Sequence, residues 1–350
     1  MATLSTPHER ALTLLFSELT RTAAEDAQAL IGTPGTIATR RNAQGTTFWV
    51  RRYSDAYGKR REAYLGKLGQ PDTEAQVQAL RDKIDTTNAV ISSTRVLARA
   101  GFATLDKKAY FALASLHNHG LFSAGAFLIG SHAYGALLNA LGIRAAPYVT
   151  QDVDVATRSA LALPELPSFL EMLQASGVEL FEIPALNRRQ PSTSFKERGS
   201  SRLRVDLLVP SRDEKYPVVP VPELKAHATG LPYLAYLLGT SLLVPILSSH
   251  GAVTVRVPVA ERFAVHKLIV SQLRAKSGDK PARDLQQAAV LLETLAEHYP
   301  GAIEDAVGAV PRGARKHLGK GVQALAKYLP AAATEAWQAV DPRGKRRTRG

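Results

Sequence analysis

Alternating runs of apolar and polar residues divide the chain into helices and strands. Apolar residues recur at helical spacing over residues 8–30, and the Gly-Thr-Pro-Gly run at 32–35 ends the pattern, which predicts a first helix. A longer amphipathic pattern over residues 72–100 predicts a second helix. Its buried stripe is expected to consist of Val77, Leu80, Ile84, Val90, Ile91 and Leu97.

Residues 36–67, between these helices, alternate like a β-meander with turns at 42–45 and 55–58. The segment holds eight Lys or Arg against two acidic residues, and aromatic residues are interleaved with them. Basic side chains bind phosphates and aromatic faces stack on unpaired bases, so a nucleic-acid-binding surface is predicted. A small sheet whose basic face is merely solvated explains the pattern equally well. The candidate contacts are Trp49, Arg51, Arg52, Tyr53, Arg60 and Arg61.

The most informative stretch, residues 127–155, reads FLIGSHAYGALLNALGIRAAPYVTQDVDV. An apolar strand ends at Gly130, which permits a sharp turn, and Ser131 is expected to open a helix. Free backbone N–H groups and the helix dipole both attract anions at a helix N-terminus. This turn therefore predicts a phosphate-binding site.

Two acidic residues follow in a second strand. Residues i and i+2 of a strand point to the same face, so the Asp152 and Asp154 carboxylates are expected to lie together, while Val153 and Val155 face the core. Another acid, Asp206, lies in the apolar strand RLRVDLLVP, where burying a carboxylate is costly unless a cation compensates it. Because carboxylate oxygens are preferred ligands of Mg²⁺, the three acids predict a site for Mg²⁺ or Mn²⁺.

The patterns together predict an α/β (α+β) fold with a mixed sheet that carries the acids. Residues 1–102 are expected to contain the first helix, the basic meander and the long helix, and residues 103–258 the catalytic core. Within that core, residues 155–185 predict a helix and a strand. Residues 259–340 predict a C-terminal helical domain, and residues 341–350 a basic tail.

Composition narrows the function. The absence of cysteine excludes disulfides, thiolate metal sites and a cysteine nucleophile. No signal peptide and no apolar run of membrane-spanning length is recognisable, so a cytoplasmic protein without a membrane partner is expected. The formal net charge of +13 favours polyanionic partners such as nucleic acid, although a basic protein can also be merely soluble.

The Gly-Ser turn followed by Asp-x-Asp resembles the signature of the polymerase-β-like nucleotidyltransferase superfamily. The stretches TQDVD and ERFAVHKLIVSQLR are similar to motifs of its minimal and AbiEii-like branches. The resemblance covers about residues 120–290. Twenty residues separate Ser131 from Asp152, more than is usual there, so residues 142–149 are expected to form an extended connection.

The resemblance implies a Mg²⁺-dependent enzyme that moves NMP from an NTP to an acceptor hydroxyl. Asp152, Asp154 and Asp206 would be the catalytic and metal-binding residues, and Gly130, Ser131 and Lys267 would bind the nucleotide. Asp284 aligns with a motif whose preceding aspartate is missing here, so a structural role is equally open. His266 and Arg274 share the Lys267 helix and are further candidates, although His266 is also typical of a packing histidine.

Members of the resembling branches modify RNA, including tRNA 3′ ends, proteins and small molecules, and some act in toxin–antitoxin pairs or phage defence. The positive charge favours RNA as the acceptor. Two other functions stay open: an antitoxin-like enzyme that adenylylates a partner protein, and a nucleic-acid-binding protein with an inactive transferase core. Retention of the three acids and of Gly-Ser argues against an inactive core.

Overall fold

The computed structural model describes residues 3–146, 150–158, 161, 167–184, 189–199, 203–212, 216–274 and 278–341. Within these ranges the chain forms eleven α-helices and fourteen β-strands, with a mixed sheet near the middle of the chain. The predicted α/β (α+β) fold is therefore confirmed. The predicted domain boundaries stay predictions.

The N-terminal segment contains a three-stranded antiparallel sheet, as the alternating pattern predicted. Its elements are β1 (Ser5–Pro7), α1 (Arg10–Glu25), β2 (Thr36–Arg41), β3 (Thr47–Ser54), β4 (Arg60–Lys67) and α2 (Pro71–Arg99). The sheet follows the order β2-β3-β4. The helix predicted over residues 8–30 is shorter than expected, because it ends at Glu25, well before the Gly-Pro breaker.

The buried seam of α2 repeats every seven residues, through Val77, Ile84 and Ile91. A spacing of seven returns to nearly the same face of a helix, so one narrow stripe packs on the rest of the fold. Leu80 and Val90, which were predicted in this stripe, are only half-buried because they lie at its margins.

The middle segment builds the central sheet. Its elements are α3 (Lys107–Asn118), β5 (Phe127–Ile129), α4 (Gly130–Ala140), β6 (Ile143–Ala145), β7 (Asp152–Ala156), α5 (Phe169–Gln174), β8 (Leu180–Glu182), β9 (Ser194–Glu197), β10 (Arg204–Ser211), β11 (Val218–Val221) and β12 (Ala226–Pro232). The helix and the strand predicted within residues 155–185 correspond to α5 and β8.

Strand β10 is the centre of this seven-stranded sheet. It pairs in parallel with β7 and β12, and antiparallel with β9. On the far side of β7 lies β5, and on the far side of β9 lies β8, both antiparallel to their neighbours. Strands β7 and β10, which carry the acidic residues, therefore lie side by side in the middle of the sheet.

The connection between α4 and β7 is more ordered at its start than predicted. Residues 143–145 form β6, which pairs antiparallel with β1 near the N-terminus. Pairing with a distant strand explains how an unusually long connection is held on the protein. Residues 147–149 of the expected extended connection lie outside the described residues.

The C-terminal segment begins with a short helix and a hairpin and continues as helices. Its elements are α6 (Leu234–Leu237), β13 (Ser241–Ser248), β14 (Gly251–Pro258), α7 (Ala260–Leu273), α8 (Lys280–His298), α9 (Ala302–Gly308), α10 (Arg315–Leu325) and α11 (Thr334–Val340). Helix α7 is buried along nine consecutive residues, Phe263 to Ser271, and packs against α8, α9 and α10. None of the helices in the described ranges is long and apolar enough to cross a membrane.

Candidate active site

Two acidic residues face each other across parallel strands. Asp154 of β7 is the register partner of Asp206 of β10, so both side chains leave the same face of the sheet. Asp152 lies two residues earlier on that face, opposite Arg204. Val153 and Val155 are completely buried behind them, which confirms the alternation predicted for this strand.

Gly130 brings the backbone onto this acidic pair. Strand β5 ends with Ile129, the register partner of Asp154, and Gly130 follows with a φ angle of +71°. A β-carbon at position 130 would overlap Asp154 Oδ2. Helix α4 begins at Gly130, one residue before the predicted start, and no side chain caps it, so Ser131 is its second residue.

Hydrogen bonds fix the Asp206 carboxylate. Its Oδ1 accepts a short hydrogen bond from Ser194 Oγ and a second one from Arg204 Nε at 2.8 Å. Arg204 also donates to Ser194 Oγ at 2.8 Å. Asp206 is therefore held in one orientation, with Oδ2 free of hydrogen bonds from the described residues.

Asp154 is held in an environment that disfavours its charge. Burial first, and the neighbouring Asp206 carboxylate second, raise its pKa to about 7, although Arg274 and Lys267 oppose the shift. A carboxylate with a pKa near neutrality becomes fully ionised only when a nearby positive charge compensates it.

A buried ion pair joins α7 to α8 above the sheet. Lys267 Nζ donates to Asp284 Oδ1 at 2.6 Å, and Arg274 approaches Asp284 Oδ2 at 3.6 Å. Lys267 and Asp284 are both buried. The two residues thus form one unit, which the sequence had suggested only as separate candidates.

Two further polar groups of these helices are buried without a hydrogen-bond partner in the described part of the chain, namely His266 Nε2 and Gln287 Oε1. Burial first, and then the charges of Lys267 and Arg274, lower the pKa of His266 to about 3. The imidazole is therefore neutral at physiological pH.

These elements enclose one cleft of about 220 Å³ between the sheet and helices α7 and α8. The predicted residues that line it are Gly130, Ser131, Asp152, Asp154, Asp206, His266, Lys267, Arg274 and Asp284. Arg204, Lys280 and Arg283 add positive charge to the same walls. The cleft thus joins a small acidic centre to a basic surround, as a polyphosphate bound through a cation requires.

The acidic centre fits a divalent cation in the chemistry of its donors. Asp154 is a half-buried carboxylate without full charge compensation, and one oxygen of Asp206 accepts no hydrogen bond from the described residues. Within the described ranges, however, no three His, Cys, Asp or Glu side chains already converge as a metal-binding group. The geometry provides two adjacent carboxylates with Asp152 beside them, and these three residues would hold a cation.

Comparison with known proteins shows the family of this chain. A family model described as nucleotidyltransferase matches residues 108–310, more than half of the chain. The chain belongs to this nucleotidyltransferase family. It is therefore an enzyme that uses an NTP, and enzymes of this kind generally employ divalent metal ions. No curated protein and no solved structure matches the chain.

The matched region of this nucleotidyltransferase runs from α3 to the end of α9 and includes every predicted cleft residue. It leaves out the meander. The prediction of a nucleotidyltransferase is confirmed, whereas the AbiEii-like branch stays a prediction.

The predicted nucleic-acid contacts lie outside this cleft, on β3 and β4. Arg52, Tyr53, Arg60 and Arg61 line a separate cavity of about 560 Å³. Arg52 pairs with Glu62 and Arg61 with Asp55.

Arg51 and Trp49 differ from what the charge pattern suggested. Arg51 is buried, and its guanidinium donates to the carbonyl oxygens of Ile31, Thr33 and Pro34. Trp49 Nε1 donates to Glu74 Oε1 at 2.8 Å, which fastens the meander to α2. These two side chains stabilise the meander from inside, because polar groups distant in the chain already satisfy their hydrogen bonds.

Sequence reasoning missed Arg204 and Ser194. Arg204 precedes Asp206 by two residues, so the period of a strand already places both on one face. Ser194 carried no such signal, because its approach to Asp206 depends on the pairing of β9 with β10.

Proposed function

We propose that this nucleotidyltransferase moves NMP from an NTP to a hydroxyl group of an RNA acceptor in the cleft around Asp154. The observation that carries the proposal is the pairing of Asp154 with Asp206, in register on parallel strands and beside the uncapped N-terminus of α4. Carboxylates for a cation and N–H groups for an anion are the two requirements of phosphoryl chemistry.

Each wall of the cleft has its own task in this proposal. Asp152, Asp154 and Asp206 would hold Mg²⁺ or Mn²⁺. A bound divalent cation neutralises charge on the phosphates and lowers the pKa of the acceptor hydroxyl. Asp206 Oδ2, which the hydrogen bonds to Oδ1 leave available, takes the proton of that hydroxyl.

The basic side of the cleft binds the triphosphate. The N–H groups at the start of α4, at Gly130 and Ser131, cradle its terminal phosphates. Lys267 supplies a compact positive charge. Arg274 supplies a second positive charge, which lies close to Asp284 and lowers the pKa of Asp154. The close Lys267–Asp284 pair supports an assignment to the AbiEii-like branch, whose motifs these residues resemble, and with it a toxin–antitoxin or phage-defence setting.

RNA is the acceptor that the charge distribution favours. The chain carries a formal net charge of +13, and Arg52, Arg60 and Arg61 lie together with Tyr53 around one cavity of the meander. Among the described residues, Arg60 has no ion-pair partner and is exposed. Cations of this kind bind phosphates, and an aromatic ring beside them stacks on an unpaired base.

The test is to incubate the enzyme with each NTP labelled at the α-phosphate, with total RNA in one series and lysate protein in another. We expect label in RNA. Label in protein alone would replace the RNA acceptor by a protein acceptor, and label in neither would favour an inactive core or a small-molecule acceptor.

A second experiment tests the meander by the salt dependence of RNA binding. Replacing Arg52, Arg60 and Arg61 by alanine is expected to flatten the log–log slope by about 2 units, at about 0.7 per single-strand contact, with NTP binding unchanged. The matched control replaces Arg315, Lys316 and Lys320, three exposed cations of α10. Deleting the tail at 342–350, outside the described residues, separates its charge from that of the meander. A wild-type slope in the meander variant contradicts the assignment.

A further inference from the structure

A straight row of exposed side chains crosses four strands and ends in the acidic centre. Phe181 of β8 is the register partner of Lys196 of β9, and Lys196 is in turn the partner of Arg204 of β10. Arg204 is the partner of Asp152 of β7. Because directly paired residues leave the same face of a sheet, all four side chains share the face of the cleft.

The composition of this row is unusual for a solvated surface. Phe181 is 41% exposed, whereas the preceding residue, Leu180, is completely buried. The Arg198 guanidinium lies over the Phe181 ring, 4.9 Å from its centroid. Lys196 is exposed and pairs with no acidic residue in the described part of the chain. An open aromatic face among three cations suits a stacked base with its phosphates nearby.

The row approaches the acids from the side opposite the phosphate cradle. Gly130 and Ser131 follow β5, which flanks β7, whereas Lys196 and Phe181 lie on β9 and β8, beyond β10. In-line transfer brings the acceptor hydroxyl and the leaving pyrophosphate to opposite sides of the α-phosphate. When an NTP is bound at α4, the side of the cleft toward β8 and β9 therefore stays open for the acceptor. At about 4.8 Å per strand, Phe181 lies about 14 Å from Asp152.

The same edge joins the basic meander. Tyr57, in the turn between β3 and β4, accepts a hydrogen bond at its hydroxyl from the backbone N–H of Glu179, two residues before Phe181. Lys108 lies over the Tyr57 ring and pairs with Glu197 of β9. The meander is thus fastened beside the row.

We propose that Phe181, Lys196 and Arg198 form the acceptor site of the enzyme, where Phe181 stacks on an unpaired base of single-stranded RNA and the cations bind its phosphates. The site delivers the RNA 3′ end past Arg204 to the acidic centre. This inference rests on the proposed RNA acceptor and names the surface that selects a single strand.

The test compares steady-state transfer to an unstructured oligoribonucleotide of about 12 nucleotides. Phe181→Ala is expected to raise the KM for this RNA about tenfold or more, with the KM for NTP unchanged, whereas Phe181→Trp keeps the wild-type value. Lys196→Ala is expected to flatten the salt slope of RNA binding by about 0.7. The matched controls are Tyr299→Ala and Lys320→Ala, which alter an exposed aromatic and an exposed lysine elsewhere.

The outcomes separate this inference from the proposed function. If the wild-type enzyme labels RNA and the Phe181 and Lys196 variants behave like their controls, the acceptor site is overturned while the RNA acceptor stands. If the wild-type enzyme labels no RNA, both fall. If a variant has the melting temperature of the wild-type enzyme, unfolding is excluded as the cause of its raised KM.

Discussion

Gly130 lies against the Asp154 carboxylate so closely that no β-carbon fits between them. The contact joins the end of β5, the first turn of α4 and the acidic pair into one unit. A phosphate held by the N–H groups of α4 is thereby brought next to the carboxylates that would hold its cation. The turn at Gly130 can lie this close to the carboxylates because residue 130 has no side chain.

Gly130→Ala is expected to lower transfer activity about 100-fold, because Asp154 or α4 must move to accommodate the methyl group. The measurement is kcat/KM with the variant shown to be folded by its melting temperature. Gly177→Ala is the matched control, since Gly177 has a φ angle of +73° but no atom within 4 Å of the added carbon. Gly177→Ala is expected to cost about 1 kcal/mol of stability and no activity. Equal activities of the two variants would contradict the role of the close approach.

Divalent cations are expected to stabilise the protein through Asp154. Adding Mg²⁺ or Mn²⁺ at a concentration 100 times its dissociation constant raises the free energy of unfolding by about 2.7 kcal/mol if it binds only the folded state. Asp154→Asn removes a half-buried charge that its surroundings disfavour, so we expect this variant to be insensitive to the metal without being less stable. Thermal melts with and without metal measure both effects, and Asp85→Asn, on the exposed side of α2, is the control. A metal-dependent shift retained in Asp154→Asn would exclude Asp154 as a ligand.

Lys267 and Asp284 are expected to stabilise the fold as a pair, whereas Lys267 is also expected to lower the KM for NTP. Removing either partner leaves the other charge buried, so Lys267→Ala and Asp284→Ala should each cost about 3–5 kcal/mol. The double variant should recover most of that loss, since neither buried charge of the pair remains and Arg274, which loses Asp284, is partly exposed to water. Denaturant unfolding of the four proteins measures the coupling. The KM for NTP should remain raised wherever Lys267 is missing, and a wild-type KM in the double variant would return Lys267 to a structural role.

Acid is expected to destabilise the fold through His266. Its pKa is about 3 in the folded protein, below the ordinary 6.5, so between these values the unfolded chain binds the extra proton. The folded state therefore loses stability as the pH falls below 6.5, by about 2 kcal/mol at pH 5. His266→Gln should lose less stability than the wild-type protein between pH 7 and pH 5, whereas His298→Gln, at an exposed position, should behave as the wild type. Equal losses in His266→Gln and the wild type would show that His266 is not buried as a neutral group.

Short-range patterns were sufficient to predict individual elements. A period of two placed Asp152 and Asp154 on one face of β7, and a helical period predicted α2 to within one residue at each end. The glycine at position 130 was recognisable because a strand and a helix meet there. These predictions succeeded because each depends on residues that are neighbours in the chain.

Long-range relationships could not be read in this way. The alignment of Asp206 with Asp154 depends on the register of two strands about fifty residues apart, and the Lys267–Asp284 pair on how α7 packs against α8. Arg51 illustrates the converse error. A charge pattern does not distinguish an exposed cation from one that three distant carbonyl groups hold inside the fold.

The most direct test of the central claim is pyrophosphate release coupled to transfer of labelled NMP, measured for the wild-type enzyme, Asp154→Asn and Asp206→Asn. The account predicts transfer by the wild type and a loss of at least about 100-fold in both variants. Asp206→Asn is expected to keep much of the NTP binding, because the proposed triphosphate contacts lie on α4 and α7. Transfer at the wild-type rate by Asp154→Asn, in the presence of Mg²⁺, would contradict the assignment of this cleft as the active site.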